Sequence, residues 1–319
     1  MPVNRMVRQE GESDRAWRWA LAWSAREYAR EEMQLEVTNQ YERAIEVNGE
    51  AVAWVVSAAG PYDLHPYTWW FPVVGDVPYK GYFLEQEAIE EASRLSTQGY
   101  DVMVRPVETY SLLGFLPDPL LSSVVDKAPE RIVEVVIHEL AHASVFVSGR
   151  PEFNEGLATF VGRRGRQDFI AAKLGEDSLV LHQAIARDQD SDRYREAVMA
   201  LAQDLASYYA RPGEKSEGVK RRIFQRHQRN YVETAHELNT AAYRAAKLPQ
   251  NNAEVAALKV YTFNSRLYST AFTSVGEDWG AFLTLLEQAA DEDQPQLALE
   301  RSVRQRVVQR AGSLLVNTQ

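Results

Sequence analysis

The chain has 319 residues with 45 acidic and 35 basic side chains, and a net charge of −10 excludes the basic surface that nucleic-acid binding requires. At 45% hydrophobic it is an ordinary globular composition, and no run approaches the roughly 18 uninterrupted apolar residues of a membrane-spanning helix. The sequence contains no cysteine, which excludes disulfides, thiolate metal sites and a cysteine nucleophile.

The segment Met1 to Arg15 is polar, and the apolar patch Trp17–Trp23 is short and carries Arg18, so no signal peptide is expected in the sequence as it stands. Residues 14–35 read as a helix, with Trp17, Ala20, Leu21, Trp23 and Tyr28 near helical spacing. From about 40 to 110 the pattern turns to β. Arg43–Val47 and Ala51–Val56 flank Asn48-Gly49, a hairpin signal because a type I′ turn needs positive φ at both central positions. Thr68–Val73 and Tyr79–Phe83 read as further strands. A helix is expected at 84–97, ended by Gly99, and then a strand at Tyr100–Val107. From about 128 the pattern is almost wholly helical, punctuated by Pro151, Pro212-Gly213, Pro249 and Gly276. The expected class is α+β, with a β-rich N-terminal part, 1–127, that includes a hairpin and an edge strand, and a mainly α-helical part, 128–319. One unit of 1–319 is expected, or two lobes with a cleft between them.

The segment that carries chemistry runs from Arg131 to Gly165. It holds His138-Glu139-Leu140-Ala141-His142, the HExxH pattern, on a helix made apolar by Ile132, Val133, Val136, Ile137, Leu140 and Val145. Residues four apart lie one turn above each other, so His138 and His142 share a face and can bind one zinc ion at about 2.0–2.1 Å. Glu139 stands beside the first ligand, where its carboxylate can act as general base on a metal-bound water. Twelve residues separate His142 from Glu155, enough for a reversal that lays a second helix against the first. Glu155 then completes a His₂Glu set and leaves a fourth position for water. The bland alternatives are a pair of hydrogen-bonded core histidines and a helix-start carboxylate at Glu155. Lys220-Arg221-Arg222 to Arg229 reads as a solvated face, Arg163-Arg164-Gly165-Arg166 as cationic capping at the end of the ligand helix, and Thr159 as a ligand-orienting or a packing residue.

The run HELAHASVFVSGRPEFNEGLATFVGRRG resembles a bacterial family of predicted aminopeptidases, gluzincin-like zinc metallopeptidases. So do VPYKGYF (Val77–Phe83), GYDVMVRPV (Gly99–Val107), YSLLGFLPDPLLS (Tyr110–Ser122) and NNAEVAALKVY (Asn251–Tyr261) ahead of Asp278-Trp279. The resemblance implies a zincin-like fold, a Zn²⁺ cofactor held by His138, His142 and Glu155, and Glu139 as catalytic base. In it Tyr261 is the best-placed donor to the oxyanion, with Tyr268 behind it; a place in the core is the alternative for Tyr261. Tyr110–Phe115 is a candidate edge strand for an extended peptide. The family's usual lipoprotein-type leader is absent here, so the resemblance implies the cell envelope if a leader has been removed and the cytoplasm otherwise. Gly156 stands where a Ser is expected. The implied partner is a peptide or protein substrate. Two other functions share these residues. One is a scaffold protein with a structural metal, holding a partner on the Leu201, Leu205 and Tyr208 face; the other is a hydrolase of a non-peptide amide or ester.

Overall fold

A computed structural model describes residues 14–47, 53–72, 75–107, 119–262 and 265–316. In chain order it contains α1 (Asp14–Glu31), β1 (Ala44–Ile45), β2 (Ala53–Ala59), β3 (Trp69–Phe71), β4 (Gly75–Val77), β5 (Lys80–Tyr82), α2 (Glu85–Thr97), β6 (Asp101–Val107) and β7 (Leu120–Leu121). The helical part follows: α3 (Ser122–Val125), α4 (Pro129–Ser144), α5 (Pro151–Leu174), α6 (Leu179–Tyr209), α7 (Glu217–Thr234), α8 (Ala241–Arg244), α9 (Asn252–Thr262), α10 (Ser265–Ser274), α11 (Trp279–Ala290) and α12 (Pro295–Val316). The fold is α+β, with its strands near the N-terminus and a helical C-terminal part. Two compact units interleave along the chain: Met1–Val47, Ser111–Phe169 and Phe263–Gln319 form the first, Asn48–Tyr110 and Ile170–Thr262 the second. Among the described residues, no helix is long and apolar enough to cross a membrane.

In the first unit, α1 packs along α4. Its buried face is mostly alanine (Ala16, Ala22, Ala25 and Ala29, around Trp19), and small side chains let the two helices approach. Arg26 shares that face and is buried, donating to the carbonyls of Gln40 at 2.6 Å and Thr38 at 2.9 Å, which ties down the chain after α1. The same unit holds an aromatic cluster. Phe160 of α5 meets Phe272 and Phe282 edge-on, at ring separations of 5.7 and 5.4 Å, and Trp279 lies 4.6 Å from Phe272. Helix α11 is started by Asp278, whose carboxylate accepts from the amide of Ala281 at 2.7 Å.

The second unit is built on a three-stranded antiparallel sheet in the order β5-β2-β6, with Val55 opposite both Gly81 and Arg105. Strand β2 is buried along nearly its whole length, since α2 covers it with Ala88, Ala92 and Leu95 while α9 also packs against it. Among the described residues, the strands on either side of Asn48-Gly49 do not pair with each other. Strand β2 takes the central place between β5 and β6, and β1 pairs in parallel with β7, Ala44 opposite Leu120. Both edges of β2 are thus occupied within its own sheet; residues 48–52 themselves lie outside the described residues. A separate antiparallel pair is β3 with β4, Trp69 opposite Val77, where Gly75 begins a strand.

Leu201 and Leu205 of α6 are fully buried, packed with Leu64, Phe224 and Val255, so the face considered for a partner is used inside this unit. Lys220 departs from the solvated face expected of α7: it is buried, and its ammonium donates to Asp101 at 2.8 Å. The same carboxylate accepts the amide of Asn252 at 2.8 Å, which fastens the start of α9 to the start of β6.

Asp190 of α6 is also fully buried. It accepts from the amide and side chain of Asn239 at 2.8 and 2.9 Å, and from the amide and hydroxyl of Thr240, both at 2.7 Å. Burial opposes its charge, but these donors outweigh burial and hold its pKa below the ordinary carboxylate value. Asp190→Ala is expected to cost roughly 1–3 kcal/mol in denaturant unfolding at neutral pH, because buried donors lose their acceptor. With a depressed folded-state pKa, the contribution is fully present above the unfolded pKa of about 3.9 and is lost as pH falls through the folded value. The stability gap between the parent and Asp190→Asn should therefore narrow below about pH 4. A gap that widens on acidification contradicts this assignment.

Candidate metal centre

Helix α4 begins with Pro129 in its first turn and buries Ile132, Val133, Val136, Ile137, Leu140 and Ala141 on one face. Four of these are β-branched and weak helix formers, so burial rather than propensity sustains the helix. His138 and His142 lie one turn apart near its C-terminal end, their rings 4.9 Å between centroids and steeply inclined to each other. His142 is almost wholly enclosed. Its Nδ1 has no hydrogen-bond partner, so packing holds the ring, with Nε2 as the end turned toward Glu155.

Between the two helices the chain reverses in six residues, from Val145 in extended conformation through Gly149 at φ 70° to Pro151. A positive φ suits glycine there. Asn154 closes the reversal like a strand partner. Its amide oxygen accepts from Val147 N at 2.9 Å and its amide nitrogen donates to Val147 O at 2.8 Å. Tyr268 of α10, fully buried, donates its hydroxyl to the Phe153 carbonyl at 2.7 Å. The residue after Asn154 is Glu155, so two side-chain anchors fix the first turn of α5 beside it.

Glu155 bridges the histidines: its two oxygens lie 3.6 Å from His138 Nε2 and 3.7 Å from His142 Nε2. The donor atoms of His138, His142 and Glu155 all lie within 4.8 Å of one another, a group that can hold a metal ion. Two ligands at about 2.05 Å in a tetrahedron stand about 3.3 Å apart, so the carboxylate–imidazole separations fit a small cation after a slight contraction. His142 is pushed down to about 4 by burial, so it carries the neutral ring that a metal ligand needs. Burial also disfavours the charged form of His138, but the interaction its ring N–H makes with the accepting Glu155 carboxylate, and the charges of Glu139, Glu155 and Glu134, raise it above its ordinary value. The side chain of His138 is 22% exposed and that of His142 only 5%, so the group opens toward solvent on the His138 side.

One turn before His138, Glu134 pairs with Arg131 of its own helix and with Arg166 of α5, which is fully buried. Burial works against the Glu134 charge, but Arg131, Arg166 and Arg163 keep its pKa below the ordinary carboxylate value. This ion pair joins the two ligand-bearing helices.

The structure thus brings His138, His142 and Glu155 together and leaves Glu139 half-buried beside His138 on the same helix. Tyr261 belongs to α9, and its side chain lies outside the described residues, as does the candidate edge strand Tyr110–Phe115. Tyr268 is not an oxyanion donor, because its hydroxyl is committed to the Phe153 backbone and burial pushes its pKa up. The Arg163–Arg166 stretch does not cap a helix end, since α5 continues to Leu174; Arg164 pairs with Asp168 and Glu277. Asn154 and Arg166 carry positioning roles that sequence reasoning passed over. Asn154 had a signal in its place next to Glu155, while Arg166 was hidden in an ordinary-looking basic run.

A family model described as "Putative aminopeptidase" matches residues 1–299. No curated protein and no solved structure is detectably similar to the chain.

Removing the Asn154 amide leaves all three donor side chains in place but releases the reversal that delivers one of them. Asn154→Ala should cost roughly 1–3 kcal/mol in unfolding through the two lost bonds to Val147. It should also weaken divalent-metal binding about 10-fold or more, as loss of ligand-positioning groups does. Metal titration against a competing chelator measures this; an affinity equal to the parent's would show that the reversal does not position Glu155.

Proposed function

The chain belongs to the putative aminopeptidase family, and on that premise we propose that it is a zinc-dependent hydrolase of peptide bonds, acting as an aminopeptidase. The observation that carries the proposal is the convergence of His138, His142 and Glu155 from two helices, with a carboxylate, Glu139, adjoining the first of them. Two imidazoles and one carboxylate are the donor set of catalytic rather than structural zinc, and they leave a coordination position for water. A zinc ion held there would supply Lewis acidity, to acidify a water and polarise a substrate carbonyl.

The protein's own residues divide the remaining tasks. Glu155 and the two histidines would hold the cation with a single negative charge, which would leave it electrophilic. Glu139 follows His138 on the helix, with its charge close enough to raise the His138 pKa, and is the proposed base for a water on the open side of the group. It takes a proton from that water and can pass it to the departing amine. Glu139 is not one of the three grouped donors, which supports a base over a fourth ligand. Tyr261 is the proposed donor to the developing oxyanion, on the strength of the sequence resemblance that singles it out. Exo-action is taken from the family description, and resistance of N-acetylated peptides tests it directly.

Glu139→Gln is expected to retain one zinc per chain and the parent's fold while losing about 10²–10⁴-fold in turnover, since the amide cannot accept the proton. At equal measured zinc content the loss should appear in kcat with KM little changed. Tyr261→Phe should lose turnover in the same assay without losing metal. A Gln variant that cleaves aminoacyl substrates as fast as the parent removes Glu139 from the role of base. A Gln variant that loses its zinc makes Glu139 a ligand instead.

A further inference from the structure

We propose that Gly162 is a positioning residue that sets the donor spacing of the metal group; this rests on the zinc-peptidase reading above and deepens it. Glu155, Gly162, Gly165 and Arg166 recur along α5 at helical spacing, two and three turns apart, so they share the face turned to α4. A Cβ added at Gly162 would lie 3.0 Å from the Glu134 carbonyl oxygen, 3.0 Å from His138 Cβ and 3.3 Å from His138 Cα. Those atoms are the root of the first histidine and the carbonyl one turn before it, the position that accepts the His138 amide in the helix ladder. None of them can rotate away. Room for a methyl at 162 has to come from moving one helix relative to the other by a few tenths of an ångström.

Gly165 provides the internal comparison. A Cβ there would meet a side-chain methyl, Ile137 Cγ2, at 3.0 Å, with no backbone atom among its near contacts, and would lie 2.5 Å from Met33 Cε and 2.7 Å from Met33 Sδ, two contacts shorter than any at Gly162. Yet these are the far end of a flexible thioether chain, which can swing to another rotamer. The shorter contact is therefore the softer one, and the longer contact at Gly162 is the hard stop.

Arg166 makes the stop consequential. It is fully buried and reaches across to Glu134, drawing α5 onto α4 one turn beyond the glycine. The ion pair pulls, the glycine contact limits, and Glu155 rides on the same rigid helix two turns away. Its oxygens already stand 3.6 and 3.7 Å from the imidazole nitrogens, slightly wider than a tetrahedral zinc of about 2.05 Å bonds requires. Any outward displacement at Gly162 widens the set further from the geometry zinc prefers.

The test uses the full chain and its Gly162→Ala and Gly165→Ala variants, with zinc affinity measured by chelator competition and the visible absorption of bound Co²⁺ read for ligand geometry. Gly162→Ala is expected to bind zinc 10–100-fold more weakly than the parent and to alter the cobalt spectrum. Gly165→Ala should stay within about 3-fold of the parent, well short of that range, with an unchanged spectrum. Melting of the metal-free proteins separates positioning from plain destabilisation. Both variants gain the same helix propensity, so a difference between their metal-free melting points reports the cost of the contact itself, and zinc affinity measured on the folded protein reports the donor spacing. A low melting point with parent-like zinc affinity in the folded protein would make Gly162 structural and overturn the proposal. Should Gly162→Ala fail to fold, Arg166→Lys decides, because it loosens the same helix pair without adding volume; it is expected to lower zinc affinity and shift the cobalt spectrum, and a parent-like result overturns the proposal. If the parent itself binds neither zinc nor cobalt, the zinc reading falls and takes this inference with it. If the parent binds and Gly162→Ala binds equally well with the same spectrum, only the role of Gly162 falls.

Discussion

The close approach of α4 and α5 is the constraint on which the candidate centre depends. Two histidines on one helix supply half a tetrahedron and nothing more; the third donor must arrive from elsewhere in the fold at a few ångströms' tolerance. Here it arrives on a second helix pressed against the first at Gly162 and drawn in by the buried Arg166–Glu134 pair. A buried pair of this kind adds little net stability, because desolvation offsets most of the attraction, and what it contributes is a fixed geometry.

Around that contact the fold spends buried polar groups on holding backbone. Asn154 spans the reversal between the helices, Tyr268 grips the first turn of α5, and Ser144 links the end of α4 to the backbone of Glu36 at 2.9 Å. The second unit uses the same device. Asn252, fully buried, donates to the carbonyls of Gly60 and Pro61 and accepts from the Tyr209 hydroxyl, while Asp190 gathers Asn239 and Thr240. Each of these side chains replaces water for backbone groups in turns, where no ladder can satisfy them. Loops fixed in this way do not need long flanking elements to stay in register.

How much of this the sequence discloses depends on the range of the interaction. The HExxH spacing, the second helix carrying Glu155 and the breaks at Pro151, Pro212-Gly213, Pro249 and Gly276 are local patterns, and they emerge in the structure as read. The helix at Glu85–Thr97 and the strand at Asp101–Val107 likewise follow from adjacent residues. The pairing of β1 with β7 does not, because Ala44 and Leu120 meet across 76 positions of sequence while β2, nearer along the chain, pairs on both edges with β5 and β6. Arg166 looks like surface charge until the fold sets it against Glu134. Tyr268 reads as a reactive tyrosine until its hydroxyl is seen to serve a carbonyl. Gly162 gives no sign at all in one sequence, since what makes it matter is the backbone of another helix.

The most direct test of the account is anomalous X-ray scattering at the zinc edge from crystals of the purified full chain. The account predicts one strong peak per chain, about 2.0–2.1 Å from a nitrogen of His138, a nitrogen of His142 and an oxygen of Glu155, with Glu139 outside bonding distance. A zinc peak ligated by other residues, or crystals grown with zinc that show none between these three side chains, would contradict it.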